Sequence, residues 1–464
     1  MLIPRTSLLV LVGAGLVPLA VAAGLRPGWT APAAGAAALL GVVTTADAWL
    51  GRRRTGAGLA FRFPEVVRLA KDREGGVGFV ATHSRPGLPG RTLRLGLALP
   101  DTVRTADEEL DARLAPGVER TLFTWPVTGG RRGVFPLERL YYKERSPLGL
   151  WDVRRSQAVA CELRVYPDLR TERRRAAATF LTRQGLGTHA QRQVGRGRDF
   201  EKLRDYVAGD SIEDISWKAT ARRQKPVSKV FQVERTQEVY VILDASRLSG
   251  RPVEGEPSGD GGRAADDGAA GEATVLERYV STALLLCLAA ERQGDLFGLA
   301  TFAAGVRTFL RAKNGAAHFD ACREAIYALE PAAESPDFDE LTTFLRLRLR
   351  RRALLMFLTA LDDPLQAEAF TRAVERVGRQ HVVIVGSLRP AGVAPLFSDA
   401  DGGAAVTGPE DIYRRLGGHL QWQRLREREL LLRRAGARVA LLDPARMTEQ
   451  LVTQYLNVKR RQIL

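Results

Sequence analysis

The side chains that could do chemistry gather in two places. One is the charged stretch 195–235, GRGRDFEKLRDYVAGDSIEDISWKATARRQKPVSKVFQVER, where Asp199, Asp210 and Glu213 could act as paired acid and base if they met in a cleft. Arginines interleave with them, and a guanidinium beside a carboxylate holds it ionised rather than tuning it for proton transfer. His189 is the one histidine nearby, and no nucleophile–histidine–acid spacing is visible. The other is Asp244-Ala-Ser246, one carboxylate and one hydroxyl after the apolar run Val239–Leu243.

Other chemistries lack their residues. There is no H-E-x-x-H and no Gly-x-x-x-x-Gly-Lys-Ser/Thr loop. Cys161, Cys287 and Cys322 form no C-x-x-C, which implies buried, reduced thiols. The 464 residues carry a net charge of +16, but only eight of the 69 basic residues are Lys. The arginines are dispersed, short runs such as Arg52–Arg54, Arg173–Arg175 and Arg350–Arg352 apart, and no basic face is interleaved with aromatics, so nucleic acid is not an expected partner.

Around the charged stretch, Phe200, Leu203, Tyr206 and Val207 have helical spacing and predict a short amphipathic helix over 199–208, ended by Gly209. Asp210, with Glu213 three residues on, predicts the N-cap of a second helix. Ile212, Ile215 and Ala219 would share its buried stripe, with Trp217 off that stripe and free to pack elsewhere. Arg222 and Arg223 suit the last turn, and Pro226 forbids continuation. Alternation from Val227 to Glu234 predicts a strand. Such a segment is either a structured docking surface or an elbow between domains.

Its signature is specific. Gly195, Gly197, Asp199, Phe200, Leu203, Arg204, Tyr206, Gly209, Asp210, Ile215, Trp217, Lys218, Ala219, Ala221 and Arg222 together resemble the domain of unknown function 58 family. Glu213, Asp214 and Ser216 depart from the usual pattern. The resemblance implies a membrane-anchored N-terminus, an immunoglobulin- or fibronectin-like middle and a von Willebrand factor A-like C-terminal domain. It marks Asp199, Arg204, Tyr206, Asp210, Trp217, Lys218 and Arg222 as interaction residues, and implies a MoxR-type AAA+ ATPase as protein partner.

The elements that must position these residues fall into an anchor (1–55), a β-rich region (60–170), a connector with the signature (171–236) and an α/β domain (237–464). Leu8–Leu25 and Thr30–Ala46 each approach a bilayer's length, with Arg26–Trp29 as a tight turn and Trp29 and Trp49 suited to the interface. Arg52–Arg54 outweighs Arg26, which predicts a two-span hairpin with the bulk of the chain cytoplasmic. A signal peptide cleaved near Ala20–Ala22 is the alternative. Asp47 is expected to snorkel at the interface.

Short alternating runs from 61 to 169, divided by Pro and Gly, predict a small antiparallel sandwich. Residues 171–187 read as a helical connector. From 238 on, six apolar strands alternate with six helices, which predicts a mostly parallel, doubly wound sheet that binds ligands at its carboxyl edge. Residues 250–273, nearly without apolar bulk, are expected to be disordered.

Asp244 and Ser246 resemble the opening of the metal-ion-dependent adhesion motif of von Willebrand A domains. Against that motif, Leu248 stands where a second Ser is needed, Pro336 where a Thr is needed and Ala360 where an Asp is needed. Only Asp244 and Ser246 remain as degenerate metal candidates, with Ser249 or Asp362 as substitutes if loops bulge. The expected fold is therefore kept with its metal lost or weak, and with no other cofactor. The function read from the chain is a membrane-anchored, non-enzymatic scaffold. The alternatives are a metal-dependent adhesion module, or a hydrolase using the carboxylates of 199–214.

Overall fold

A computed structural model describes residues 1–56, 59–83, 91–114, 118–170, 173–174, 194–207, 211–232, 237–253, 274–390, 392–396 and 408–460. The expected disorder of 254–273, nearly all of the connector helix, and the position of Asp210 lie outside these residues. The chain divides into two compact units, one through Asp168 and one from Leu169 on.

The first unit begins with strand β1 (Leu2–Pro4), followed by two apolar helical segments, α1 (Thr6–Leu25, one stretch of it π-helical) and α2 (Thr30–Gly56), joined by the turn Pro27–Trp29. Both are long and apolar enough to span a bilayer, and only 6% of each apolar window is buried. Leu9, Val10, Leu39 and Val42 face outward. A helix of a soluble core would bury such residues, so these have the surface of lipid-facing helices.

Strands β2 (Leu59–Arg62) to β10 (Trp151–Tyr166) complete the unit. Between them lie β3 (Val66–Ala70), β4 (Glu74–His83), β5 (Arg91–Leu97), β6 (Val103–Arg104), β7 (Leu110–Leu114), β8 (Arg120–Gly129) and β9 (Gly133–Arg145). One sheet has the order β1-β10-β9-β5-β7 and the other β2-β4-β8-β6. Their inward side chains, among them Val77, Phe79 and Trp125 from one sheet and Leu93, Leu140 and Leu163 from the other, share one apolar core. One pairing departs from the antiparallel expectation: β3 runs parallel to the second half of β10, while β1 lies antiparallel along its first three residues. The 16-residue β10 therefore carries a different neighbour at each end of one edge.

Asp47 does not snorkel. It is fully buried where α2 meets the turn between β9 and β10. Its carboxylate accepts hydrogen bonds from Ser146 Oγ at 2.6 Å and from the backbone N–H of Leu148 at 2.9 Å and Leu150 at 3.3 Å. Trp151 Nε1 donates to the Thr44 carbonyl at 3.0 Å. Gly51 permits the close approach, since a Cβ there would stand 3.1 Å from both Ser146 Cβ and Val153 Cγ2.

The second unit opens with a two-stranded antiparallel ribbon, β11 (Val194–Asp205) and β12 (Val227–Gln232), with the short helix α3 (Trp217–Arg223) between them. Its main sheet comprises β13 (Glu238–Asp244), β14 (Leu296–Phe302), β15 (Val306–Lys313), β16 (Leu354–Leu358), β17 (Val382–Leu388) and β18 (Ala437–Leu442), in the order β15-β14-β13-β16-β17-β18. All pairs are parallel except β14 with β15. Alternate residues point to opposite faces: Val239, Val241 and Leu243 join one core, Tyr240 and Ile242 the other. Helices α4 (Val275–Arg292), α5 (Ala316–Ile326) and α9 (Met447–Arg460) cover the first face. Helices α6 (Phe338–Arg348) and α7 (Pro364–Gly378) cover the second, with the C-terminal end of the long α8 (Pro409–Arg434).

The helix expected over 199–208 is a strand instead. Residues 199–205 pair with Val227–Gln232, Leu203 opposite Lys229 and Arg204 opposite Ser228. A short stretch whose apolar residues fit a helix can be taken by a partner strand that satisfies its backbone, and tertiary pairing wins. The second helix is also shorter than expected. Ile212–Asp214 is a single 3₁₀ turn, and α3 starts only at Trp217. Gln224 then closes α3 in the left-handed region, at φ 54°.

Candidate functional site

The signature residues occupy the ribbon and its helix. Asp199 lies in β11 opposite Gln232. Arg204 lies on the same strand, and the Tyr206 N–H donates to the Pro226 carbonyl at 2.9 Å. The start of α3 is held to β12 by backbone and hydroxyl: Ser216 N–H donates to Val227 O at 2.8 Å, and Val227 N–H donates to Thr220 Oγ1 at 3.1 Å. Ile212 does not enter a buried stripe, and α3 buries none of its residues. Trp217 is 67% exposed, Ile212 71% and Val207 57%. Lys218 and Arg222, four residues apart on α3, are exposed as well. The ribbon thus brings an outward Trp and two cations together on one short helix, but it brings no pair of carboxylates into a cleft among the described residues.

The second place is the carboxyl edge of the main sheet. There β13 and β16 are neighbours although β14 and β15 separate them in sequence, so the chain's winding reverses between them. That reversal is where doubly wound sheets open a crevice. Asp244 closes β13 and Thr359 follows β16. Asp244 is almost fully buried, and Thr359 Oγ1 donates to its Oδ2 at 2.6 Å across the reversal point. The backbone N–H of Ser246 donates to Oδ1 at 2.9 Å. Burial raises the Asp244 pKa, and the bonds from Thr359 and Ser246 oppose the rise.

Both carboxylate oxygens therefore have donors from the protein itself. Thr359 is the residue that sequence reading missed. The only signal was its place immediately before Ala360, at the end of a buried apolar strand.

The neighbours divide into filled and unfilled. Ser249 Oγ donates to the Ser246 carbonyl at 2.7 Å. Leu248 and Ala360 line a cavity of about 260 Å³ together with Arg251, Tyr279, Asp362 and Arg389. Arg251 pairs with Asp362 at 2.5 Å. Ser246 Oγ, Asp362 Oδ1 and the Tyr279 hydroxyl are buried without a hydrogen-bond partner. Burial and the nearby Asp244 and Asp362 charges push the Tyr279 hydroxyl far up. Among the described residues, no group of three His, Cys, Asp or Glu side chains stands close enough to share a metal.

The cysteines do no chemistry at this edge. Cys287 and Cys322 are buried side by side under the first face, and their contact with burial drives the Cys287 thiol well above its ordinary value. At the opposite edge Asp295 accepts from the Tyr455 hydroxyl, from Lys459 Nζ at 2.9 Å and from the Gln237 N–H at 3.2 Å, which locks α9 to the sheet.

Comparison with known proteins adds a family. Residues 202–251 and 263–394 match the model of the family described as Protein of unknown function DUF58, the family that the signature residues resemble. No curated protein matches the chain. Among solved structures, the SpRpn10 VWA domain is 10% identical, with 47% of this chain and 95% of that one covered at a TM-score of 0.26. BatB from Bacteroides thetaiotaomicron is 13% identical, with 48% and 99% covered at 0.28. An aerotolerance-related membrane protein from Bacteroides fragilis is 15% identical, with 48% and 98% covered at 0.27.

Proposed function

We propose, on the premise that this chain carries a DUF58 region, that it is a membrane-anchored, non-catalytic adaptor which docks a protein partner through the signature helix. The observation that carries this reading is Trp217, two-thirds exposed on α3 beside Lys218 and Arg222. A large aromatic left in water beside cations is what an interface anchor looks like before its partner arrives. The DUF58 resemblance points to a MoxR-type AAA+ ATPase as that partner. The three cations of α3, Lys218 in its first turn and Arg222 and Arg223 in its last, favour an acidic receiving surface.

The anchor is read as a two-span hairpin with the bulk of the chain cytoplasmic. Two exposed apolar helices, followed by Arg52–Arg54, support it. The signal-peptide alternative would detach β1, which pairs with β10. The two sheets of the first unit are read as an immunoglobulin- or fibronectin-like sandwich.

The carboxyl edge is read as a von Willebrand A-like face with its cation site closed. A cation there would find one carboxylate already engaged twice, and Leu248 and Ala360 offer it no oxygen. The metal-dependent alternative draws on Ser246 Oγ and Asp362 Oδ1, both buried and unpartnered. The hydrolase alternative would need Asp199, Asp210 and Glu213 to meet in a cleft, and Asp210 lies outside the described residues.

A photocrosslinking side chain at position 217, in native membranes, tests the docking. One AAA+ ATPase is the expected adduct, and lipid alone or no adduct would sink the reading. Mg²⁺ or Mn²⁺ raising the melting temperature in wild type but not in Asp244→Ala would instead establish the metal-dependent module.

A further inference from the structure

The three arginines Arg52–Arg54 at the end of α2 have three different surroundings. Arg54 turns inward to the buried Glu144, at 3.6 Å. Arg53 lies over the Trp49 ring, 3.7 Å from its centroid, as a cation–π pair suited to the membrane interface. Arg52 lines a cavity of about 650 Å³ with Tyr141, Tyr142, Arg154, Arg155 and Ser156. No acidic residue lines that cavity, and among the described residues no carboxylate pairs with Arg52, Arg154 or Arg155. One Nη2 hydrogen of Arg155 goes to the Arg52 carbonyl at 3.0 Å, which fixes the guanidinium at the helix end and leaves most of its five donors free.

The position along α2 matters as much as the charge. At 1.5 Å per residue, Arg52 stands roughly 9 Å beyond Ala46, where the apolar run ends. The headgroup layer of one leaflet is roughly 5–8 Å thick. A cavity lined by three guanidinium groups therefore opens at the outer margin of the headgroup layer, within reach of long arginine side chains turned back toward the phosphates.

We propose that the cavity lined by Arg52, Arg154 and Arg155 binds the phosphate of an anionic phospholipid headgroup in the leaflet nearest the β-sheets. Guanidinium forks match phosphate oxygens two at a time, and basic groups at the end of a span attract anionic lipid. Tyr141, exposed at the rim, adds a hydroxyl donor for the glycerol or ester oxygens. The site rests on the membrane reading of α1 and α2. It goes beyond the docking proposal, because it assigns a ligand to the first unit and is independent of Trp217.

The test uses the full chain in neutral detergent, offered a mixture of phosphatidylglycerol and phosphatidylcholine and read by native mass spectrometry. Phosphatidylglycerol should be retained in preference. Arg154→Ala with Arg155→Ala should lower that preference about 25-fold, about fivefold per guanidinium. Arg113→Glu, an exposed charge reversal on β7, should change it less than twofold, and melting curves of all variants should match wild type. Equal retention of the two lipids would overturn the proposal, as would an effect of Arg113→Glu equal to that of the Arg154→Ala, Arg155→Ala double variant. Full displacement of the lipid by free glycerol phosphate at matched concentration would reassign the cavity to a soluble anion. A chain that stays in solution without detergent and leaves membranes on washing would instead defeat the membrane reading itself.

Discussion

Asp47 and Asp244 are both buried carboxylates whose two oxygens are held by donors from the protein, yet they do opposite things to their surroundings. Asp47 reaches from a helix to a turn about a hundred residues away and gathers Ser146, Leu148 and Leu150 around itself. Asp244 reaches across one strand spacing to Thr359 and turns back to its own chain at Ser246. The first joins an apolar helix to a sheet. The second holds the reversal point of a sheet shut. A carboxylate in a segment rich in Ala and Leu can thus fasten a helix to a sheet, while one at a strand end can be held by a hydroxyl at the end of the neighbouring strand.

The largest effect should follow loss of Asp47. Asp47→Ala strands a buried hydroxyl and two backbone N–H groups and should cost about 3–5 kcal/mol in unfolding of the first unit. Trp151 fluorescence reports the event, since its indole bonds to Thr44 on the same helix. A loss under about 1 kcal/mol would mean that the fastener is dispensable.

Asp244→Ala should cost less, about 1–3 kcal/mol, because only one hydroxyl and one N–H are left behind. Its double-mutant cycle with Thr359→Val should show coupling above about 0.5 kcal/mol. Near-zero coupling would dissolve the bond across the reversal point and reopen Asp244 to a ligand.

A pH profile sharpens the contrast. Burial lifts the folded pKa of Asp244 above its unfolded value. Its contribution to stability is therefore fullest below the unfolded pKa and falls as pH rises through the folded one. Thr359→Val removes a bond that favours the ionised form, so this variant should lose more stability than wild type as pH rises above the unfolded value of about 4. Parallel urea midpoints for the two proteins across that range would refute it.

The smallest effect on stability is expected at Trp217. Trp217→Ala should shift unfolding by no more than about 0.5 kcal/mol, since the side chain is mostly in water. Partner capture should nonetheless fall at least tenfold, by roughly the 2 kcal/mol that an interface anchor carries. Trp125, fully buried between the two sheets, should behave in reverse and cost about 3–5 kcal/mol when cut to Ala.

Much of the second unit was legible because its elements are long and strongly periodic. Val275–Arg292, Pro364–Gly378 and Pro409–Arg434 fall where the sequence pattern puts helices, and each strand of the main sheet ends within two residues of its expected place. The ribbon was not legible. Phe200, Leu203 and Val207 satisfy helical spacing, but Val227–Gln232 supplies a partner strand, and no local pattern reports a pairing across twenty-odd residues. The short strands Val103–Arg104 and Leu110–Leu114 escaped for the same reason: they exist because β8 and β5 offer them backbone partners.

Residue types and their spacing alone determined that the chain has two apolar helices, a β-rich region, a doubly wound unit and the DUF58 signature, since hydrophobic period and motif spacing are written locally. Tertiary structure decided which carboxylates are spent and which surfaces stay open. Thr359 takes an oxygen of Asp244, the turn at Ser146 takes Asp47, and Trp217 is left in water. Those outcomes depend on atoms brought within 3 Å by strands and helices far apart in sequence, and the free energy that selects them comes from burial and pairing that form only when the whole sheet does.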